Sequence, residues 1–514
     1  SDLILVGPHG AYVASLYENN YEDAAANTDP RSLGWHLNPF LFFEKVFEIG
    51  APHPIPDVTT LAGRRIFYSS CDGDNWKGAT TLEDNPEQNV YCAEIVLQQI
   101  IRPYPHLPMS MGIIAAVLDP AWVGDPKSQQ IAREYLALPQ VEAASHSYSH
   151  PFDWTFFKTG GPEKEIKYLP LYPYGSWQNS YLSWFNARHK NKDFGGESLS
   201  WGYVIPRAYA NQPFHLDLEI SGAASYIDQF APPDNQVHLL LWPGDGKPWA
   251  EPVALCQKAG LKNLGGGFVR FDPEYPSNLF VYPIGRKPGG WIQPYSSMSA
   301  ENSYSEGWSS RFYGFQYLPA TLQNTESPRR IKPIQLFYHS YSGEYLASLN
   351  AVLKNIAAIQ KLPHIPIRAS RYSDVAEGFY STEIVEIGPA QWKIKNRKGL
   401  ETVRFDHVEE MKIDFAHSTG VIGQTEHQGS LYVYLDAAVD EPILTLGNQG
   451  SSHPYLMESS WEIWNLVRHE DELAFQTKGW GPLIMKWNVN GRVLSIERDD
   501  LPNNQELGWK VKLE

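Results

Sequence analysis

Four short polar clusters punctuate the first two-thirds of this sequence, each following an apolar run. They are Cys71-Asp72-Gly73-Asp74, His146-Ser147-Tyr148-Ser149-His150, Trp242-Pro243-Gly244-Asp245 and His339-Ser340-Tyr341-Ser342. In the first, a glycine between two acids places both carboxylates on a similar side of the chain and lets backbone approach closely. Two carboxylates that near can share a cation or divide acid–base work. In the second, histidines four apart fall on one face if the chain enters a helical turn there. Two imidazoles and one carboxylate suit a divalent metal and leave positions open for water and substrate, as a hydrolytic site requires. An HxxxH pair by itself is a weak signal, since two His in a polar turn are more often merely hydrogen-bonded; the acids ending an earlier strand reverse the balance toward a metal. His339 ends a nearly all-apolar run and emerges where the other clusters do, which favours a functional imidazole.

Those clusters need a scaffold that ends its strands on one rim. From residue 65 to about 368, short apolar runs alternate with amphipathic segments, the pattern of parallel strands joined by helical crossovers. Strands are predicted at 65–70, 111–118, 141–145, 237–242, 279–282, 334–338 and 365–368. Helices are expected over 86–101, after the Asp125 cap with Pro126 in its first turn, and along Leu216, Ile220, Ala223 and Ile227. After about residue 387 the period falls to two, with Leu431, Val433 and Leu435 alternating against Tyr432 and Tyr434, and Asn490-Gly491 marks a hairpin. The predicted fold is therefore α/β plus all-β: a distorted (β/α) barrel of about seven strands followed by a C-terminal β-sandwich-like domain. Three units result: 1–60 as N-terminal segment and linker, 61–387 as barrel, and 388–514 as β-rich domain. In the first, Asn38-Pro39 opens a helix bearing Phe40, Phe43 and Phe47, and Pro52, Pro54 and Pro56 form an extended connection. The stretch 152–215 breaks the alternation and carries Trp154, Trp177, Trp184 and Trp201, which argue for order there.

The chain has 514 residues, enough for about three domains. Lys and Arg total 42 against 58 Asp and Glu, a net charge of −16 with no basic block, which argues against nucleic acid as a partner. Three cysteines without a CxxC pair indicate neither a disulfide framework nor a zinc ribbon, and Cys71 reads as a small buried strand residue. No apolar run is long enough to predict a transmembrane segment, and no signal-peptide pattern is present. Aromatics make up 13% of residues and charged side chains only 19%, a balance suited to stacking on sugar rings, although packing explains most of them. Trp242, Trp308, Tyr313 and Tyr341 are the candidate platforms. Arg270 and Asp272 could also border the site. The glycine triplet before them lacks the Lys-Ser/Thr pair of a phosphate loop.

The order of motifs, an acid pair after the first strand, SHSYSH after the third, a Pro-Gly turn later and a lone His near the end, resembles the polysaccharide deacetylase (NodB-homology) family. More closely, DVTTLAGRRIFYSSCDGD, LPQVEAASHSYSHPFDW, LLLWPGDGKP and LFYHSYSGEYLASLNAVL are similar to the PelA-type deacetylases of Pel exopolysaccharide biosynthesis, over about residues 35–356. The resemblance implies a metal-dependent hydrolase that removes N-acetyl groups from N-acetylgalactosamine or N-acetylglucosamine units of an exopolysaccharide during biofilm matrix production. It implies that Asp74, His146 and His150 hold one divalent metal, zinc first, with nickel, cobalt or manganese also fitting. Asp72 would be the general base and His339 the acid that protonates the leaving amine, while the oxyanion would lean on the metal and on a backbone N–H of the loop after Asp72. Trp242, Asp245, Trp308 and Tyr341 are the substrate-binding candidates.

Two departures from the family pattern matter. Gly73 separates acids that the family places side by side, so base and ligand could be exchanged between Asp72 and Asp74. The Pro-containing motif lacks the family's arginine, leaving Asp245 to orient His339, to contact sugar hydroxyls or to stabilise its own turn. The resemblance also implies a partially acetylated amino-sugar polysaccharide and other exopolysaccharide export proteins as partners, and a periplasmic or secreted location. Residues 1–35 would then be the tail of an upstream portion or a short replacement for it. An acidic protein would attract the cationic product. Two other readings use the same residues: a glycoside hydrolase built on Asp72 and a second carboxylate, and a non-catalytic glycan-binding assembly protein.

Overall fold

The apolar stretch that leads into Asp72 forms the longest strand of the central sheet, β1 (Arg64–Asp72), and every one of its residues is buried. Burial on both faces is what a central parallel strand requires. The structure, a computed structural model, describes residues 4–7, 10–13, 38–47, 52–82, 90–159, 164–165, 168, 171–172, 199, 203–296, 299–304, 309–408, 410–448 and 453–513. Around β1 run β2 (Met109–Ile113), β3 (Val141–Ser145), β4 (Leu239–Leu241), β5 (Lys262–Leu264) and β6 (Ile334–His339), in the order β6-β1-β2-β3-β4-β5 and all parallel. A short β7 (His364–Pro366) pairs with the first half of β1, and Thr60–Leu61 folds back antiparallel on the same half.

This sheet corrects the expected barrel of about seven strands. It is an open half-barrel, with six strands along its hydrogen-bonded path. The reason lies between β5 and β6, where closure would need a further strand. The predicted strand at 279–282 is instead a 3₁₀ turn, Asn278–Phe280, with the Ser277 hydroxyl accepting from Leu279 N at 3.2 Å. Val281 makes only an isolated bridge to Val269. Pro283, Pro288, Gly289 and Gly290 follow, and the chain there pairs two strands of two residues, Gly285–Arg286 and Gln293–Pro294, around a 3₁₀ turn, Pro288–Gly290, rather than forming a long strand. The Lys262–Leu264 strand, by contrast, was not anticipated: three residues beside glycines leave almost no periodic signal.

Sequence punctuation explains several local elements. Asn38 Oδ1 accepts from Phe40 N and Leu41 N at 3.0 and 3.3 Å, capping helix Pro39–Val46 with proline in its first turn. Asp125 does the same for helix Pro126–Leu136, accepting from Ser128 N at 2.7 Å. The segment along Leu216–Ile227 is a π-turn, Leu218–Gly222, leading into helix Ala223–Ile227. Of the helix predicted over 86–101, the described part is Cys92–Val96 followed by a π-turn, Leu97–Ile101. Trp154 is fully buried edge-on to Trp242, whereas Trp177, Trp184 and Trp201 lie outside the described residues.

Beyond residue 382 the chain is strand after strand, and the described residues form three sheets of four, seven and three strands rather than a two-sheet sandwich. The strand Glu383–Gly388 crosses the expected boundary at 387, and Ile55–Pro56 joins the seven-stranded sheet by pairing with Val403 and Arg404. Asn490 and Gly491, both at positive φ, close the Leu483–Val489/Arg492–Arg498 hairpin. One apolar core joins this region to the central sheet: Ile66, Tyr68, Leu239 and Leu241 pack with Tyr372 and Val375 of helix Ala369–Ser381, and with Val403, Tyr432 and Trp487. The opposite face of the sheet, through Phe67, Cys71, Met111 and Ala143, packs on the crossover helices. The C-terminal strands thus brace the back of the half-barrel. Among the described residues no helix is long and apolar enough to cross a membrane.

Candidate metal centre

The parallel register brings the polar clusters onto one rim. Asp72, the last residue of β1, lies directly opposite His339, the last of β6, and opposite Gly112 of β2 on its other side. His146 follows β3 immediately, and its backbone N–H donates to Ile113 O at 2.8 Å. Gly73 is dictated by close approach: its N–H donates to Gly112 O at 2.8 Å, and a Cβ there would meet the same oxygen at 2.9 Å. That bond engages the Gly73 N–H, so this amide is not free to serve the oxyanion.

The loop from His146 to His150 is not the helical turn that its spacing suggests. Ser147 and His150 both adopt positive φ, 64° and 56°, and the Ser147 hydroxyl accepts from His150 N at 3.0 Å. This tight reversal still brings the two imidazoles together, with ring centroids 4.9 Å apart. Glu219, wholly buried, buckles the loop from behind. Its carboxylate accepts from Tyr148 N at 3.1 Å, from Ser149 N at 2.9 Å and from the Ser149 hydroxyl. Arg207 donates to that same hydroxyl at 3.2 Å and to Glu165 at 2.5 and 2.9 Å, completing a buried ionic bracket.

Asp74, His146 and His150 converge, each offering one donor atom within 4.8 Å of the others, so the three could hold a metal ion. The Nε2 of His150 is 3.0 Å from Asp74 Oδ1, and that of His146 is 3.4 Å from Asp74 Oδ2 and 3.4 Å from Asp72 Oδ2. The Nδ1 of His146 sits 2.9 Å from Leu241 O. A donated Nδ1–H there leaves Nε2 with its lone pair toward the carboxylates, the tautomer that a metal needs. Asp72 Oδ1, buried and without a hydrogen-bond partner among the described residues, adds to the fit.

The two acids are electrostatically unlike. Burial pushes Asp72 above the usual carboxylate range, against the opposing pull of His146 and His339. Burial also acts on Asp74, but the His150 and His146 imidazoles outweigh it and hold that carboxyl well below its usual range. Asp74 is therefore the permanent anion of the pair, and Asp72 the one that takes a proton more readily.

His339 is held by a residue outside the four clusters. Glu301, with no exposed surface, places Oε2 2.9 Å from His339 Nδ1 and Oε1 2.8 Å from the His339 backbone N, and also accepts from the Ser342 hydroxyl. Burial alone would lower the imidazole pKa; the Glu301 carboxylate reverses this and pushes it up to about 9. The Tyr341 ring stacks on His339 at 4.5 Å and 12°, and Phe312 stacks on Tyr341. Arg270 steadies the Glu301 turn by donating to Ser303 O at 2.9 Å while pairing with Asp272 at 2.6 Å. Nothing in the sequence around Glu301, Glu219 or Arg207 marks these residues; each is non-local to the cluster it serves.

The remaining candidates divide. Asp245 does not orient His339: it accepts from Lys247 N at 3.0 Å within its own turn, and burial pushes its carboxyl up to about 6. Trp242 is buried, donating from Nε1 to Asn263 at 2.9 Å, so its ring packs in the interior rather than at the rim. Tyr341 is likewise buried against His339. Tyr313 is half exposed, and Trp308 lies outside the described residues. The three cysteines are free and buried, Cys71 with its thiol pKa pushed far up by burial.

Scanned against models of known families the chain matches none, and no curated protein matches it in sequence.

Proposed function

We propose that the protein is a metal-dependent N-deacetylase acting on amino sugars of the N-acetylgalactosamine or N-acetylglucosamine type in an exopolysaccharide. The observation that carries this reading is the convergence at the strand ends of β1, β3 and β6 of an Asp-His-His set, a second buried carboxylate and an imidazole backed by Glu301. The likeness of the four motifs to polysaccharide deacetylases supports it and is the sole ground for a periplasmic or secreted location.

A divalent ion bound by Asp74, His146 and His150, zinc first and nickel, cobalt or manganese next, would supply Lewis-acid polarisation of the acetamide carbonyl and acidify water. Asp72 lies against His146 with Oδ1 unengaged and its proton affinity raised by burial, the properties of a base that accepts a proton from attacking water. On the other side His339, kept as an imidazolium by Glu301, donates a proton to the departing amine, without which that nitrogen would leave as a poor anion. Ring stacking by Tyr341 and the two-point grip of Glu301 fix the imidazole plane.

The test is acetate release from an N-acetylated amino-sugar oligomer, abolished by chelation and restored by a divalent ion. New reducing ends without acetate would point instead to glycoside hydrolysis. Polymer binding with His146→Ala leaving metal content and turnover unaltered would point to a glycan-binding assembly role.

A further inference from the structure

Away from the rim, helix Pro39–Val46, the turn Asn278–Phe280 with its continuation to Ile284, and the strand Thr402–Asp406 border an open cavity of about 800 Å³. That volume lies in the range of small-molecule sites. Phe40, Phe43, Ile55, Ile284 and Ile331 give it apolar walls. The helix contributes no fully buried residue, and Phe43 remains 43% exposed, so an apolar face is turned to a space it does not fill.

Among the described residues, both guanidinium groups beside this space have carboxylate partners and Lys332 has none. Arg404 pairs with Asp406 at 2.9 Å and with Asp57 at 3.9 Å, Arg329 pairs with Asp406 at 3.4 Å, and His407 faces Glu44 at 3.5 Å. Lys332 lines the cavity only 7% exposed, and its ammonium donates to Pro283 O at 3.1 Å. Among the described residues no carboxylate stands within ion-pair distance of it. An ammonium has three donors, and a cation buried without an anion is costly. Burial accordingly draws the Lys332 pKa down to about 7, with no acid opposing it.

We propose that this cavity binds a small amphiphilic carboxylate, its acid on the Lys332 ammonium and its apolar body against Phe40, Phe43 and Ile331. A monoanion fits better than a phosphate dianion because one cation is unmatched and the neighbouring guanidinium groups are already paired. Such a ligand would also tie the N-terminal helix to the body of the protein by covering the face that packing leaves open. The inference is independent of the deacetylase reading, since none of these residues belongs to the metal centre.

Titration calorimetry with decanoate, below its micelle concentration, tests this, with n-decanol and acetate as comparators lacking the acid or the tail. Saturable decanoate binding is expected, with both comparators at least about tenfold weaker. Lys332→Met should lose about tenfold or more of the decanoate affinity, yet fold at least as stably as wild type because it removes an uncompensated buried charge. Phe43→Glu, at a half-exposed position, should weaken decanoate similarly and leave acetate release unchanged; it decides the matter if the lysine variant does not fold. Absence of decanoate binding by wild type, decanol binding as tightly as decanoate, or full affinity retained in either folded variant would each overturn the proposal.

Discussion

Replacing Glu301 with Gln removes the carboxylate in contact with His339 Nδ1 while keeping an oxygen able to accept from the His339 backbone N–H. The gap between the ordinary imidazole value of 6.5 and about 9 corresponds to about 3 kcal/mol in favour of the imidazolium. Burial works against that form, so the preference depends on Glu301, with smaller help from Asp74 and Asp72. In the proposed reaction the acid must be protonated, and activity falls as pH rises through the His339 pKa. With Gln at 301 the alkaline limb of the acetate-release profile should move down by roughly 2 pH units, giving about a tenfold loss at pH 8 and a much smaller one at pH 6. The assay is a pH–rate profile of both proteins at equal metal loading. An alkaline limb that stays in place, or an equal loss at pH 6 and pH 8, would refute the role assigned to Glu301. The same pair is linked to stability. A group whose pKa rises on folding stabilises fully below its unfolded value and loses that contribution as pH rises through the folded one. Chelated wild type should therefore lose stability between about 6.5 and about 9, and chelated Glu301→Gln should lose less, the remainder belonging to His146, whose imidazole Asp72 and Asp74 also raise against burial.

Three further outcomes follow from the same geometry. Gly73→Ala drives a Cβ to 2.9 Å from Gly112 O and should cost about 1–3 kcal/mol, with weakened metal binding, whereas a wild-type melting temperature and metal affinity would mean that the approach is slack. Glu219→Ala removes the acceptor shared by the Tyr148 and Ser149 N–H groups and should lower metal affinity about 10–100-fold in a chelator competition; unchanged affinity would show that the His146–His150 loop holds itself. Asp245→Asn preserves an acceptor for Lys247 N and should alter acetate release less than about threefold, so a large loss would restore Asp245 to the reaction.

The residues that gather at the proposed metal centre were legible because chemistry and chain order coincide there. Asp72, Asp74, His146, His150 and His339 each stand at the end of an apolar run, and parallel strands bring such ends together whether or not the sheet closes. Barrel closure was not legible, because a short apolar run such as 279–282 suits a 3₁₀ turn as well as a strand, and only the prolines and glycines after it hint at the outcome. The positive φ of Ser147 and His150 was equally hidden: the spacing of four suggested a helical turn, and the loop reaches a similar pairing of rings by another backbone route. The supports are beyond any local pattern. Glu301 lies 38 residues from His339, and Glu219 70 residues from Ser149, so their roles arise only from long-range packing. Trp242 shows the converse error, since an aromatic beside a polar cluster looks like a ligand platform yet serves the core.

The central claim is that Asp74 and Asp72 divide the labour, one holding a metal and the other taking a proton. Metal content by elemental analysis, read together with acetate release from an N-acetylated amino-sugar oligomer, separates the roles in Asp74→Asn and Asp72→Asn. About one divalent ion per wild-type chain is expected, with loss of the ion and of activity in Asp74→Asn, and retention of the ion with activity reduced about a hundredfold or more in Asp72→Asn. Equal acetate release by all three proteins, or metal loss in Asp72→Asn with the ion kept in Asp74→Asn, would contradict it.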